Sequence, residues 1–141
     1  MRPCLFLLLI MTGLMTGSSC HPTAPAPVPV ERDSTEIKLA AGFLRGEALF
    51  LRHCAACHLP PEKKVTDNYM FVRLFDRMPS PSSRYFIRYI QDSKSLREAG
   101  DAYAIALHRY WEHPYDHHFR DSMTVSDIRN LIVYIRVAAS K

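Results

Sequence analysis

The sequence lacks any run of 18 or more apolar residues, so it predicts no helix that crosses a membrane. It also lacks the polar bias of a disordered chain, since 48% of its 141 residues are hydrophobic and 11% are aromatic. No block of one charge sign stands out, because 18 Lys and Arg and 14 Asp and Glu are scattered along the chain. This distribution is typical of a solvated surface of mixed charge and predicts no nucleic-acid partner.

Cysteine is scarce, and its four positions divide into two pairs. Cys4 and Cys20 lie in an amino-terminal leader, whereas Cys54 and Cys57 lie three residues apart in the body of the chain. This separation argues against a small domain held together by disulfides.

Residues 1–19 are predicted to be an export signal peptide. Arg2 supplies a positive charge, residues 5–11 form an apolar stretch, and residues 17–19 are small, as a cleavage site requires. A cysteine directly after small residues resembles the cleavage site of bacterial lipoproteins, although Gly17 stands where that site usually has Leu. Cys20 is therefore the predicted lipid-modified first residue of the mature chain. The alternative is ordinary secretory cleavage nearby, which would leave Cys20 as an unpaired thiol, a feature seldom found in secreted proteins.

Residues 21–30 carry a proline at nearly every second position. Such a run cannot form a helix or a central strand and favours extended polyproline geometry. Residues 20–36 are thus predicted to be a lipid-anchor cysteine followed by a semi-rigid tether, and residues 37–141 a single domain. The predicted location is the cell envelope, with the domain facing the periplasm and a lipid holding it to a membrane. The alternative is a disordered tail with no spacing role.

The body of the chain has helical periodicity and no convincing strand pattern. Apolar spacing predicts helices near residues 40–53, 83–91 and 102–112, the last of these capped by Asp101. A final helix is predicted to begin after Thr124, because Asp127 three residues later completes a capping box. Residues 59–83 are predicted to be largely irregular.

The pentapeptide Cys54-Ala55-Ala56-Cys57-His58 carries the functional information. Two cysteines with this spacing can each form a thioether to a vinyl group of one haem, and the histidine that follows can bind the iron from the proximal side. Export agrees with this interpretation, because c-type haem is attached outside the cytoplasm. We therefore expect Cys54 and Cys57 to hold one covalent haem c and His58 to be its proximal iron ligand.

Two other kinds of functional site also contain a CxxC motif. A thioredoxin-like redox pair follows a strand of a sheet, and no sheet is predicted here. A zinc site would need further ligands, and the candidates are the histidines His108, His113, His117 and His118.

Around this motif the chain resembles the class I c-type cytochromes, in particular the single-haem domains of bacterial envelopes. The resemblance covers most of residues 41–138. In that family an amino-terminal helix leads into CxxCH and a carboxy-terminal helix crosses it. The matching contact positions are Gly46 and Phe50 on the first helix, and Leu131 and Tyr134 on the last.

The second axial ligand departs from the family pattern, which places a methionine in the loop before the last helix. Counting back from Ile128 puts His117 at that position, so His117 is the predicted distal ligand. His118 and Met123 are the runners-up, and Met123 is otherwise expected to pack as a hydrophobic staple at the start of the last helix. Met78 and Met70 rank behind them.

The sequence thus predicts an all-α domain of cytochrome c-like helices packed around one covalently attached haem. The predicted function is a membrane-tethered carrier of single electrons between redox partner proteins, and no enzyme activity is predicted. The alternative is a haem enzyme or small-molecule sensor with an open sixth iron position, which the missing methionine favours and the nearby histidines disfavour. A third possibility is a metal-binding lipoprotein without haem.

Overall fold

Two long helices near the ends of the described chain cross and pack against each other. The computed structural model describes residues 33–63 and 70–140. Helix α1 spans Ser34–His53 and helix α6 spans Val125–Ala139. They meet at Gly46, where an added Cβ would fall on the carbonyl oxygen of Asn130 and lie 2.7 Å from the Cβ of Tyr134. The missing side chain therefore sets how closely the two helices approach.

Aromatic rings extend this crossing along α1. The ring of Tyr134 lies 5.3 Å from that of Phe43 and 5.4 Å from that of Phe50, measured between centroids. Tyr134 and Phe50 are each 1% exposed, so the rings exclude water from the crossing. The predicted contacts of Gly46 and Phe50 with the last helix are confirmed.

Helix α1 begins three residues before the predicted start of the domain at residue 37. Asp33 caps it, because its carboxylate accepts a hydrogen bond of 3.2 Å from the backbone N–H of Thr35. The last proline of the run is Pro29, so nothing after it prevents a helix from starting here. The predicted signal peptide, Cys20 and the tether up to residue 32 lie outside the described residues.

Four shorter helices connect α1 to α6. They are α2 (Leu74–Arg77), α3 (Ser82–Gln91), α4 (Ser93–Glu98) and α5 (Ala102–Tyr110). Asp101 caps α5 as predicted, with its carboxylate accepting from the N–H of Ala104. Helices α2 and α4 were not predicted, because four and six residues are too few for apolar periodicity to show.

The final helix begins as predicted. The Thr124 hydroxyl accepts from the N–H of Asp127, and the Asp127 carboxylate accepts from the N–H of Thr124. Met123, directly before this cap, is 2% exposed and belongs to the same buried core as Ile128. The described residues contain helices and no strand, which confirms the all-α prediction. None of the described helices has the length and apolar character that a membrane crossing requires.

Candidate functional site

The CxxCH sequence forms a tight turn directly at the end of α1. The N–H of Cys54 donates to the carbonyl of Phe50, which continues the helix by one residue. The N–H groups of Cys57 and His58 then both donate to the carbonyl of Cys54, at 3.0 and 2.9 Å. The turn therefore fixes the two sulfur-bearing residues and the histidine relative to the buried end of α1.

The two cysteines of this turn do not form a disulfide with each other. Cys54 is half-buried and Cys57 is exposed. Burial, with a smaller contribution from Cys57, raises the pKa of the Cys54 thiol to about 11. A thioredoxin-like redox pair requires the opposite shift, towards a thiolate at neutral pH. Cys54 is thus unsuited to disulfide exchange and remains available to bind a cofactor.

The ring of His58 is oriented by Phe71. The two rings lie edge to face, with centroids 6.0 Å apart and planes at 81°. Phe71 is 7% exposed and also packs edge to face on Phe50 of α1. The aromatic core therefore supports the His58 imidazole from one side.

On another side of His58 lies the imidazole of His117. The ring centroids are 6.2 Å apart, and the planes differ by only 8°. The two residues are 59 positions apart in sequence (117 − 58), so the fold itself brings them together. His118, the next residue, is exposed, and its Nδ1 lies 2.9 Å from the carbonyl oxygen of Asp116.

Both facing imidazoles are kept neutral. Burial lowers the pKa of His58, and burial together with the nearby His58 lowers the pKa of His117 to about 4. The neutral form carries the lone pair that binds a metal ion. The Nδ1 atom of His117 is buried and has no hydrogen-bond partner among the described residues. This buried polar atom lacks the partner that the protein interior normally supplies.

A network of hydrogen bonds holds the backbone at His117. Its N–H donates to the Ser93 hydroxyl at 2.8 Å, and its carbonyl accepts from the Ser93 N–H at 3.0 Å. The preceding residue, Asp116, forms an ion pair of 2.7 Å with Arg97 of α4. Phe119, two residues after His117, donates its N–H to the carbonyl of Ile90. The loop is therefore fixed on both sides of His117.

Aromatic rings surround the His117 imidazole. The centroid distances are 5.2 Å to Tyr89, 5.5 Å to Tyr115 and 6.1 Å to Phe119. Tyr89 is buried, and burial raises the pKa of its hydroxyl to about 12. These rings restrict the motion of the imidazole and reduce its contact with water.

The sulfur candidates for the second ligand occupy other environments. Met123 is 2% exposed and Met78 is 8% exposed, and both belong to the hydrophobic core. Met70 is half-buried and packs against that core. Each of these methionines therefore has a packing role that needs no metal.

The spacing of His58 and His117 is compatible with one iron ion bound by both. An imidazole nitrogen binds a transition metal at about 2 Å, and the two nearly parallel rings have centroids 6.2 Å apart. Across residues 33–63 and 70–140, no group of three or more His, Cys, Asp and Glu side chains is placed to hold a metal ion. A zinc site built from the loop histidines therefore has no support there.

The sequence did not predict two residues that contact the two histidines. Phe71 precedes a helix too short to predict, and its contact with His58 depends on the loop between them. Ser93 is the first residue of α4 and directly follows its cap, Asp92. Serine is common at helix starts, so its presence there gives no sign of a contact with a distant residue.

Comparison with known proteins identifies the family. The family model described as Cytochrome c matches residues 43–138, more than half of the chain. No curated protein and no solved structure matches the chain. The matched region begins in α1, contains the CxxCH turn and ends in α6. The chain therefore belongs to the cytochrome c family, and it is a haem-based electron carrier with covalently attached haem c.

Proposed function

We propose that this protein is a bis-histidine, single-haem cytochrome c that carries single electrons between redox partner proteins in the cell envelope. The proposal rests on one observation: the rings of His58 and His117 are nearly parallel and have centroids 6.2 Å apart. His58 comes from the CxxCH turn, as the proximal ligand of this family does, and His117 comes from the loop before α6.

The proposed roles follow from these positions. Cys54 and Cys57 hold the haem through thioethers, His58 is the proximal iron ligand and His117 is the distal one. When bound, the haem supplies one-electron chemistry through the ferric and ferrous states of its iron. The buried loop contacts of His117 hold its imidazole in place, so little reorganisation should accompany electron transfer.

A second imidazole has two functional consequences. A thioether favours the ferrous state and raises the reduction potential, whereas an imidazole lowers it. A filled sixth position also leaves no open site for a peroxide or a diatomic gas. The His117 position therefore supports an electron carrier over the alternative of a haem enzyme or gas sensor.

Envelope location rests on the sequence of the leader. The predicted signal peptide of residues 1–19 would export the chain, and lipid modification of Cys20 would anchor it. The proline run that follows would hold the haem domain at a distance from the membrane. A Cys20→Ser variant should be found in the soluble fraction instead of the membrane fraction, with its haem still attached. A variant that stays in the membrane fraction would contradict the lipid anchor.

The ligand assignment is tested by optical spectra of the exported protein, oxidised and reduced. We expect a c-type reduced spectrum, low-spin ferric iron and no weak thioether-to-iron band near the red end of the oxidised spectrum. His117→Ala should give high-spin iron that binds carbon monoxide rapidly after reduction. His58→Ala should disrupt the haem spectrum outright.

Neighbouring residues supply matched controls. His118→Ala changes an exposed imidazole one position away and should leave the spectrum unchanged. Met123→Leu keeps the volume of a core residue and should also leave it unchanged. His117→Met should raise the midpoint potential by on the order of 100 mV. If His117→Ala has no effect and Met123→Leu removes a thioether band, the ligand is Met123 and the proposal is wrong.

A further inference from the structure

Helix α1 has two apolar faces. One packs on α6, and the other lies on the opposite side of the helix and is exposed. Three large aliphatic side chains lie on this outer face at intervals of seven residues: Ile37, Leu44 and Leu51 are 55%, 63% and 60% exposed. Ala41 and Ala48, also exposed, lie between them. A continuous apolar stripe on solvent is unusual for a helix, because one such face is normally enough to pack it on its own domain.

The stripe follows a heptad pattern over the whole helix. With Ile37, Leu44 and Leu51 at position d, position a holds Ser34, Ala41 and Ala48. The residues that pack on α6, such as Gly42, Gly46 and Phe50, then fall at positions b, f and c. Positions a and d therefore form a seam on the side opposite the domain core, which is the arrangement of a coiled-coil helix.

Charges of opposite sign flank this seam. The e positions are basic, with Lys38, Arg45 and Arg52, and within the helix the g positions hold Ala40 and Glu47. Glu47 and Arg52 form no ion pair within the part of the chain that the structure describes. In a parallel pair of helices, each g residue lies beside the e residue five positions later on the partner helix. Glu47 would then face Arg52 of the partner subunit.

We propose that this outer face of α1 is a dimerisation surface, on which a second copy of the chain packs in a parallel two-helix coiled coil. The alanines at position a allow the helices to approach closely, and the leucines at position d fill the seam. An antiparallel pair would place e beside e and g beside g, so the basic residues would oppose one another. A lipid surface fits less well, since membrane-surface helices carry basic residues at the edges of the apolar stripe and Glu47 occupies one of these edges.

The parallel arrangement has a consequence for the haem sites. Each α1 leads directly into the CxxCH turn, so a parallel pair places both turns at the same end of the coiled coil. The amino-terminal ends of both helices lie together at the other end, which is the geometry that two chains anchored to one membrane need. Electron exchange between the two copies would then be possible without dissociation.

Sedimentation of the exported haem-loaded protein over a range of concentrations tests the dimer. We expect a monomer–dimer equilibrium, and Leu44→Glu should raise the dissociation constant roughly a hundredfold or more, because two buried leucines are lost per dimer. Leu39→Glu is the matched control: Leu39 is 51% exposed on the same helix but lies at position f, outside the seam. Circular dichroism and the haem spectrum confirm that both variants fold.

A charge exchange tests the parallel register. Glu47→Arg should weaken the dimer roughly tenfold at low salt, and the double variant Glu47→Arg with Arg52→Glu should restore it. A wild-type chain that stays monomeric, or a dimer that Leu44→Glu leaves intact, would overturn the proposal. Failure of the double variant to restore the dimer would overturn the parallel register. A monomer that binds anionic vesicles through Leu44 would assign the face to a lipid surface instead.

Discussion

Ser93 and His117 hold each other through two reciprocal hydrogen bonds. The Ser93 hydroxyl accepts from the His117 N–H at 2.8 Å, and the Ser93 N–H donates to the His117 carbonyl at 3.0 Å. Ser93 is 4% exposed, so water cannot readily replace either bond. This pair fixes the backbone from which the proposed distal ligand projects.

Ser93→Ala should therefore loosen the His117 ligand without removing it. The half-buried N–H of residue 117 would lose its partner, at a cost of about 1 kcal/mol or more in folding free energy. We expect a larger high-spin fraction in the ferric spectrum and measurable carbon monoxide binding after reduction. Ser122→Ala, in the same loop but exposed, is the control. A Ser93→Ala protein with lower stability and an unchanged spectrum would give Ser93 a structural role only.

Phe71→Ala should destabilise both the core and the proximal side of the site. Phe71 is nearly buried and contacts the rings of Phe50 and His58. Truncating a buried phenylalanine costs about 3–5 kcal/mol, and the His58 ring would lose its lateral support. Phe71→Leu fills most of the cavity and should recover much of the stability. Chemical unfolding of the three haem-loaded proteins measures this, and a Phe71→Ala midpoint equal to wild type would contradict the packing role.

Gly46→Ala should disrupt the crossing of α1 and α6. The added methyl group would fall on the backbone of Asn130, so the helices must separate, at a cost of about 1–3 kcal/mol or more. Gly42→Ala is the matched control on the same face. Its Cβ would lie 3.4 Å from the side chain of Asn130, and alanine favours the helix by about 0.5–1 kcal/mol. Thermal midpoints should therefore fall for Gly46→Ala and stay level or rise for Gly42→Ala.

Local signals in the sequence were sufficient for the parts of this fold that depend on neighbouring residues. The CxxCH turn needs five consecutive residues, and the α6 capping box needs Thr124 and Asp127. The family resemblance supplied the contacts of Gly46 and Phe50, which no periodicity could give. Counting back from Ile128 predicts His117 as a ligand, and its ring lies 6.2 Å from that of His58, measured between centroids.

Features that depend on loop geometry could not be predicted in this way. Ser93 and His117 are 24 residues apart, and the bonds between them exist only once α3, α4 and the loop before α6 have packed. The periodicity predicts α1 only from about residue 40, because no residue before that position lies on the face of α1 that packs on α6. Asp33 was the available signal for the start of α1, since it is a favourable cap followed by residues without proline.

Acid should weaken the start of α6 through Asp127. Hydrogen bonds from the Thr124 hydroxyl and backbone N–H lower the pKa of the Asp127 carboxyl in the folded protein. The unfolded chain has the higher pKa of about 3.9, so this contribution to stability is complete above that pH and is lost as the pH falls through the folded value. Because the carboxylate is close to solvent, we expect the contribution to stay below about 1 kcal/mol.

Asp127→Ala should thus lower the thermal midpoint at pH 7, and the difference from wild type should shrink as the pH falls below about 4. Asp121→Ala, which removes an exposed carboxylate in the preceding loop, is the control. Differential scanning calorimetry at several pH values measures both variants. A difference between Asp127→Ala and wild type that stays constant down to pH 2 would mean that the cap does not depend on the charge of Asp127.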